Sequence, residues 1–174
     1  KLIKNKSIFA DKILLLNPTR QAELSLYTAL VYMGLKNYKE AHKRLLQIIT
    51  RGKSFYIYPL YRTIRLVNLL IQYELGDQDL IKSESRSIKR EIAKDKKGYK
   101  IENLILKFIN IPKSKLLLGE REKLWNKLQP ILTGIREDVF ENQLIKLFDF
   151  TAWIEAKLCK LPLEEVLKSR HNNV

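Results

Sequence analysis

The chain has 174 residues, with 33 lysines and arginines against 19 aspartates and glutamates, and a net charge of +14. This length suffices for one domain with its own hydrophobic core. The single cysteine, Cys159, excludes an intrachain disulfide and favours a reducing, cytoplasmic location. No apolar run reaches the roughly 20 residues that span a bilayer. The positive charge favours acidic or nucleic-acid partners.

The chain opens with a short helical stripe that a proline terminates. Phe9, Ile13 and Leu16 are about one turn apart, and Pro18 prevents the helix from continuing. Because the first residue is Lys1 and not methionine, we expect residues 1–18 to be the tail of a unit that begins further upstream. This expectation is compatible with a targeting segment upstream of Lys1.

Residues 19–52 predict two antiparallel helices joined by a tight turn. The first runs from Thr19 to about Leu35, and the second from about Tyr38 to Thr50, with Gly52 as a left-handed stop. The spacing of apolar residues in the second helix predicts which of them face inward. These residues are Ala41, Leu45, Leu46, Ile48 and Ile49.

This helical hairpin resembles the tetratricopeptide repeat (TPR), whose unit is a helix pair of about 34 residues. The resemblance is carried by Ala29, Tyr32, Tyr38, Ala41 and Leu45, with Pro18 ending the preceding unit. It covers residues 19–52 and, in part, 8–18. The small side chains would let the two helices approach each other, and the tyrosines would fill the space around their turn.

The segment from Leu60 to Leu75 predicts a helix buried between neighbours, because apolar residues surround most of it. Pro59 is suited to start this helix. One narrow arc of the helix is polar, and we call it the polar seam. The polar seam consists of Arg62, Arg65, Asn68 and Gln72.

The next helix is predicted from Asp77, a suitable N-cap, to about Lys94. Its inward residues are predicted to be Leu80, Ile81, Ser85, Ile88 and Ile92. The opposite side, which we call the basic face, carries Lys82, Arg86, Lys89 and Arg90. The turn before this helix resembles the glycine–acid turn of the repeat, but Gln78 and Ile81 depart from its pattern.

Helical periodicity continues to the end of the chain. One stripe ends at Pro112, and a second, from Leu124 to Ile135, is predicted to kink or end early at Pro130. A long final helix is predicted from about Asp138 to Leu158, and a segment after Pro162 is expected to cover its second apolar face, around Phe150 and Trp153. The sequence of residues 147–153 resembles that of the closing helix of uncharacterised bacterial TPR-like proteins.

Together these elements predict an all-α fold in which antiparallel helix pairs stack as a right-handed TPR-like α-solenoid with a C-terminal capping helix. We expect one domain over residues 1–174. Within it we distinguish the upstream tail (1–18), the clearest repeat (19–52), a second helix pair (53–98) and divergent helices with the cap (99–174).

The predicted function is a non-enzymatic scaffold that binds a protein or peptide, possibly an acidic one, on its curved surface. Arginine forks match carboxylates, so the polar seam could line a groove for such a partner. Thr28, Tyr32 and Lys36 on the preceding helix would be companions in that groove. Alternatively, the seam is an internal network that pairs with Ser83, Glu84 and Ser85.

A second hypothesis is a helical repeat that binds nucleic acid. The basic face and two lysines beyond it, Lys96 and Lys97, could contact phosphates, although a solvated helix face explains the same pattern. An aromatic cluster could stack on bases or simply pack between helix pairs. This cluster comprises Phe55, Tyr56, Tyr58 and Tyr61.

The sequence predicts no enzyme, cofactor or metal site. His42 and His171 are too few and too far apart to form a metal site with Cys159. His42 is expected on the polar side of its helix, and Cys159 is expected to fill space rather than act as a nucleophile. The sequence shows neither a pair of catalytic carboxylates nor a glycine-rich loop that could bind phosphate.

Overall fold

The computed structural model describes residues 15–51, 59–95, 98–112 and 116–172, which contain nine α-helices and no strand. The all-α prediction is therefore confirmed. The described residues fall into two compact units, one ending at Leu75 and the other beginning at Gly76. This division separates the two helices of the pair predicted over 53–98.

The first unit contains α1 (Pro18–Gly34), α2 (Tyr38–Ile49) and α3 (Leu60–Leu75), each of which packs on the other two. Pro18 stands in the first turn of α1, where its missing N–H costs nothing. The stripe predicted around Phe9 and Ile13 lies outside the described residues, as does Gly52.

The α1–α2 hairpin forms as predicted because its turn is capped at both helix ends. Lys36 adopts the left-handed conformation, with a φ of 57°. The backbone N–H of Asn37 donates to the carbonyl of Tyr32 over 2.8 Å, which closes α1. The side chain of Asn37 then accepts from the backbone N–H of Glu40 at the start of α2. A three-residue turn between packed helices makes the pair antiparallel.

The helix α3 is buried on every side. Every residue from Leu60 to Gln72 is buried, polar residues included. Its observed bounds coincide with the predicted ones, and Gly76 follows with a φ of 77°, a conformation that ends a helix readily only in glycine. The prediction of a buried helix is confirmed.

The described residues of the second unit form six helices. In chain order these are α4 (Gln78–Asp95), α5 (Lys100–Phe108), α6 (Leu118–Glu137), α7 (Asn142–Ile145), α8 (Phe150–Cys159) and α9 (Leu163–His171). Asp77 caps α4 as predicted, since its side chain accepts from the backbone N–H of Leu80 over 3.0 Å.

The helix α8 is the centre of the second unit, because α5, α6 and α9 all pack on it. Its Trp153 ring is almost completely buried and meets Phe108 of α5 edge to face, with ring centroids 5.6 Å apart. This geometry suits the charge distribution of aromatic rings.

A buried carboxylate holds the N-terminus of α5. The backbone N–H groups of Lys100 and Ile101 donate to the two oxygens of Glu141, over 2.7 and 3.0 Å. Glu102 accepts in the same way from the backbone N–H of Tyr99. A helix N-terminus leaves such N–H groups without partners inside the helix, so these carboxylates satisfy them.

The helix α9 packs on α8, as predicted for the segment after Pro162. That it covers the side around Phe150 and Trp153 stays a prediction. Val166 of α9 packs with Ala152 and Ala156 of α8 in a small apolar cluster. The Arg170 guanidinium adds ion pairs to Asp149, at 2.5 Å, and to Glu155. The small alanines let the two helices approach closely.

The predicted long final helix is wrong, because the chain breaks between α7 and α8. Asp138 accepts from the backbone N–H groups of Phe140 and Glu141, and Asp149 accepts from that of Ala152. Aspartate side chains that bind nearby backbone compete with helix continuation and begin new helices.

Two further local predictions are corrected by the structure. The helix α6 runs through Pro130 without ending, and this proline is exposed while Leu128, Leu132 and Ile135 around it are buried. Packing of those apolar residues outweighs the lost backbone hydrogen bond. Leu46 and Leu80 are exposed rather than inward-facing.

Candidate functional site

The polar seam lies in the interior of the structure. The exposed fraction is 6% for Arg62, 5% for Arg65, 6% for Asn68 and 2% for Gln72. Side chains this deeply buried do not line an open surface of the described chain. The structure thus favours the internal network over the groove for these four residues.

Two members of the seam contact α2. His42 Nδ1 lies 2.8 Å from Asn68 Oδ1 and 2.7 Å from Gln72 Nε2. In one tautomer Nδ1 donates to Asn68, and in the other it accepts from Gln72, so either tautomer joins α2 to α3. His42 was predicted on the polar side of α2, and it is instead half-buried against α3. His42 was not among the predicted partners of the seam. Ser85 was among them, but its hydroxyl has no hydrogen-bond partner in the described part of the chain.

Replacing Arg65 with alanine is expected to lower the free energy of unfolding by about 2–4 kcal/mol, because a buried guanidinium leaves unsatisfied groups behind when it is removed. Urea denaturation followed by circular dichroism measures this loss. Lys43→Ala, at an exposed position within α2 of the same unit, serves as the control and should change stability by less than about 0.5 kcal/mol. A neutral Arg65→Ala would show that this side chain is not an internal tie.

The three predicted companions of the seam separate in the structure. Tyr32 is buried, with the Arg44 guanidinium 5.9 Å from its ring centroid. Thr28 is half-buried and donates to the carbonyl of Leu24, whereas Lys36 is exposed. Thr28 and Lys36 are therefore more accessible than the buried residues of the seam.

The outer side of α1 carries an apolar stripe. Tyr27, Val31 and Leu35 are 51%, 44% and 58% exposed, and Leu24 is half-buried. Their spacing of three, four and four places them on one face of the helix, opposite the buried face that includes Leu26. We call Leu24, Tyr27, Val31 and Leu35 the outer stripe. Their spacing was readable in the sequence, but the prediction considered only the inward face of this helix.

The exposed charges of this hairpin are mostly positive. Lys36, Lys39 and Lys43 are exposed, and no carboxylate of the described residues forms an ion pair with them. The acidic residues Glu23 and Glu40 are paired with Arg20 and Arg44, at 2.7 and 4.0 Å. The uncompensated charge of the hairpin is therefore cationic.

The basic face of α4 has the predicted geometry. Lys82, Arg86, Lys89 and Arg90 are all exposed, while Ile81, Ser85 and Ile88 on the opposite side are buried. Lys96 and Lys97 lie outside the described residues, as do Phe55, Tyr56 and Tyr58 of the aromatic cluster. Tyr61, the remaining member of that cluster, is buried in α3.

The described residues hold no group of three or more histidine, cysteine or acidic side chains that could bind a metal ion. Burial and the nearby Glu155 raise the pKa of the Cys159 thiol, although Arg121 lowers it. No helix in the described ranges combines the length and apolarity needed to cross a membrane.

Comparison of the chain with family models, with curated proteins and with solved structures finds no match.

Proposed function

We propose that the protein is a non-enzymatic, TPR-like scaffold that binds an acidic, amphipathic helical segment of another protein along the outer stripe of α1. The observation that carries this proposal is the apolar character of Tyr27, Val31 and Leu35 in spite of their exposure. One apolar face of α1 packs inside the hairpin, and the second apolar face remains exposed. Exposed apolar surfaces of this kind are typical of interaction sites.

The spacing of the stripe suggests the form of the partner. Residues that recur every three or four positions present a ridge about 16 Å long from Leu24 to Leu35, at roughly 1.5 Å per residue. A partner helix with apolar residues at positions i, i+3 or i+4, and i+7 would bury this ridge along its length.

The charge suggests the composition of the partner. Lys36 stands at one end of the stripe, and Lys39 and Lys43 add positive charge on α2 without ion pairs in the described residues. A second copy of this chain would carry the same net charge of +14, and repulsion between the two copies opposes self-association. Acidic residues on the rim of a partner helix would instead increase the association rate and the specificity.

Selection from a displayed library of helical peptides tests this proposal. We expect peptides enriched on the wild-type chain to share the apolar spacing and an excess of Asp and Glu. Val31→Asp should weaken their binding at least about tenfold. Val139→Asp is the matched control, because Val139 is an exposed valine in the other unit, and it should bind as wild type does.

Two results would contradict the proposal. Enriched peptides that lack the apolar spacing, or that bind Val31→Asp and wild type equally, would exclude the outer stripe as the binding surface. A concentration-dependent dimer in analytical ultracentrifugation that Val31→Asp abolishes would show that the occupant is a second copy of the chain.

A second candidate function is the binding of nucleic acid by the basic face of α4. It is favoured by four exposed cations on one side of one helix: Lys82, Arg86, Lys89 and Arg90. If all four contact phosphates, log K should fall with log salt with a slope of about −3 to −4. The variant Lys82→Glu/Lys89→Glu should abolish binding, and absence of binding at low salt would eliminate this candidate.

A further inference from the structure

The side chain of Arg121 is a buried cation with unused donors. Arg121 lies at the start of α6 and is 7% exposed, and its Nε and Nη1 atoms have no hydrogen-bond partner among the described residues. A guanidinium presents two forks, Nε with Nη2 and Nη1 with Nη2, so each fork has at least one unused donor. Burying such a charge without an anion is costly, which suits Arg121 to binding rather than to stability.

The end of α6 beside Arg121 is itself positive. Leu117 is the N-cap, and an aliphatic side chain offers no oxygen to the backbone N–H groups of the first turn. The N-terminus of this 20-residue helix also carries the positive end of the helix dipole. Arg121 itself belongs to the first turns of this helix, four residues after the N-cap, so its backbone lies at the same helix end as these N–H groups.

Two acidic residues near this end, Glu120 and Glu155, are already engaged with other cations. Glu120, in the first turn, pairs with Lys123 at 3.1 Å. Glu155 of α8, whose effect on the pKa of the Cys159 thiol is opposite to that of Arg121, is paired with Arg170. Arg121 is therefore the one member of this charged group that has no counterion among the described residues.

We propose that Arg121 and the N-terminal turn of α6 bind a small oxyanion, with a phosphate group preferred over a carboxylate. A guanidinium fork and first-turn N–H groups can donate to different oxygens of one phosphate. A carboxylate has two oxygens and a single charge, so it satisfies fewer of these donors. The site lies in the second unit and is independent of the outer stripe of α1.

Nuclear magnetic resonance of the arginine side chains tests the proposal on the wild-type chain. On titration with inorganic phosphate, the Nε–H resonance of Arg121 is expected to shift and to saturate. Acetate should shift it with weaker affinity, and sodium chloride at matched ionic strength should leave it in place. A shift that never saturates, or that chloride reproduces, would identify an adventitious ion only and would overturn the proposal.

Thermal unfolding of two variants gives an independent test. In phosphate-free buffer, Arg121→Met should be at least as stable as wild type, because methionine removes a buried charge and keeps the apolar stem. At a phosphate concentration ten times the Kd, the melting temperature of wild type should rise by about 3 to 5 °C, and that of Arg121→Met should not rise. Arg136→Met, which removes an exposed arginine from the last turn of α6, should respond as wild type does.

The variants also distinguish a structural role from a binding role. If Arg121→Met unfolds or loses stability in phosphate-free buffer, Arg121 is a structural residue and the proposal is wrong. If wild type and Arg121→Met gain equally from phosphate, the anion binds elsewhere on this basic chain, and the proposal is again wrong.

Discussion

Replacing Trp153 with alanine is expected to lower the free energy of unfolding by about 3–5 kcal/mol, the usual cost of removing a large buried aromatic side chain. Trp153 is 1% exposed and lies on α8, the helix on which α5, α6 and α9 all pack. Its edge-to-face contact with Phe108 would be lost together with the buried apolar area. Urea denaturation followed by circular dichroism measures the loss.

The chain provides a matched control in its other tryptophan. Trp125 of α6 is half-buried, so Trp125→Ala removes the same atoms from a partly hydrated site. Its cost should be clearly smaller. Equal losses in the two variants would show that α8 is not the centre of the second unit.

Replacing Glu141 with alanine is expected to cost about 3 kcal/mol, because two buried backbone N–H groups would lose a charged acceptor at once. Glu141 is 1% exposed, and it accepts from Lys100 and Ile101 at the start of α5. Glu141→Gln keeps one acceptor oxygen and should cost less. Chemical denaturation of both variants gives the comparison.

Glu137→Ala is the control for this prediction, since Glu137 is an exposed glutamate at the end of α6. It should change stability by no more than about 0.5 kcal/mol. If Glu141→Ala were equally mild, water would replace the carboxylate at α5 without loss, and the cap would have no structural role.

The sequence was most informative where a single pattern dominated. The bounds of α3 follow from Pro59, from apolar residues on nearly all sides and from the glycine at position 76, and the structure reproduces them. The α1–α2 hairpin likewise follows from local signals, because its turn and caps lie within a few residues of one another.

Sequence reasoning failed where contacts distant in the chain decide the outcome. The region from Asp138 to Leu158 has continuous helical periodicity, yet the caps at Asp138 and Asp149 divide it. Glu141 caps a helix about 40 residues upstream, a partnership that periodicity does not reveal. Pro130 was predicted to kink α6 or end it early, but the helix continues to Glu137, with buried apolar residues on both sides of the proline.

The candidate site shows the same limit. Arg62, Arg65, Asn68 and Gln72 were correctly placed on one face of α3, but periodicity does not distinguish a groove from an interior seam. On α1 the prediction considered only the inward face, so the exposed outer stripe was not recognised as a feature of the surface. Burial of a residue depends on its neighbours in space, which local spacing leaves undetermined.

The central claim is that α3 is interior while the outer stripe of α1 is accessible. The rate of thiol labelling at single cysteines measures this difference most directly. In a Cys159→Ala background, Val67→Cys on α3 and Val31→Cys on α1 place the same small thiol at a fully buried and an exposed valine. The structure predicts rapid maleimide labelling at position 31 and labelling at least about a hundredfold slower at 67, where it requires an opening of the fold. Similar rates at the two positions in folded protein would contradict the account.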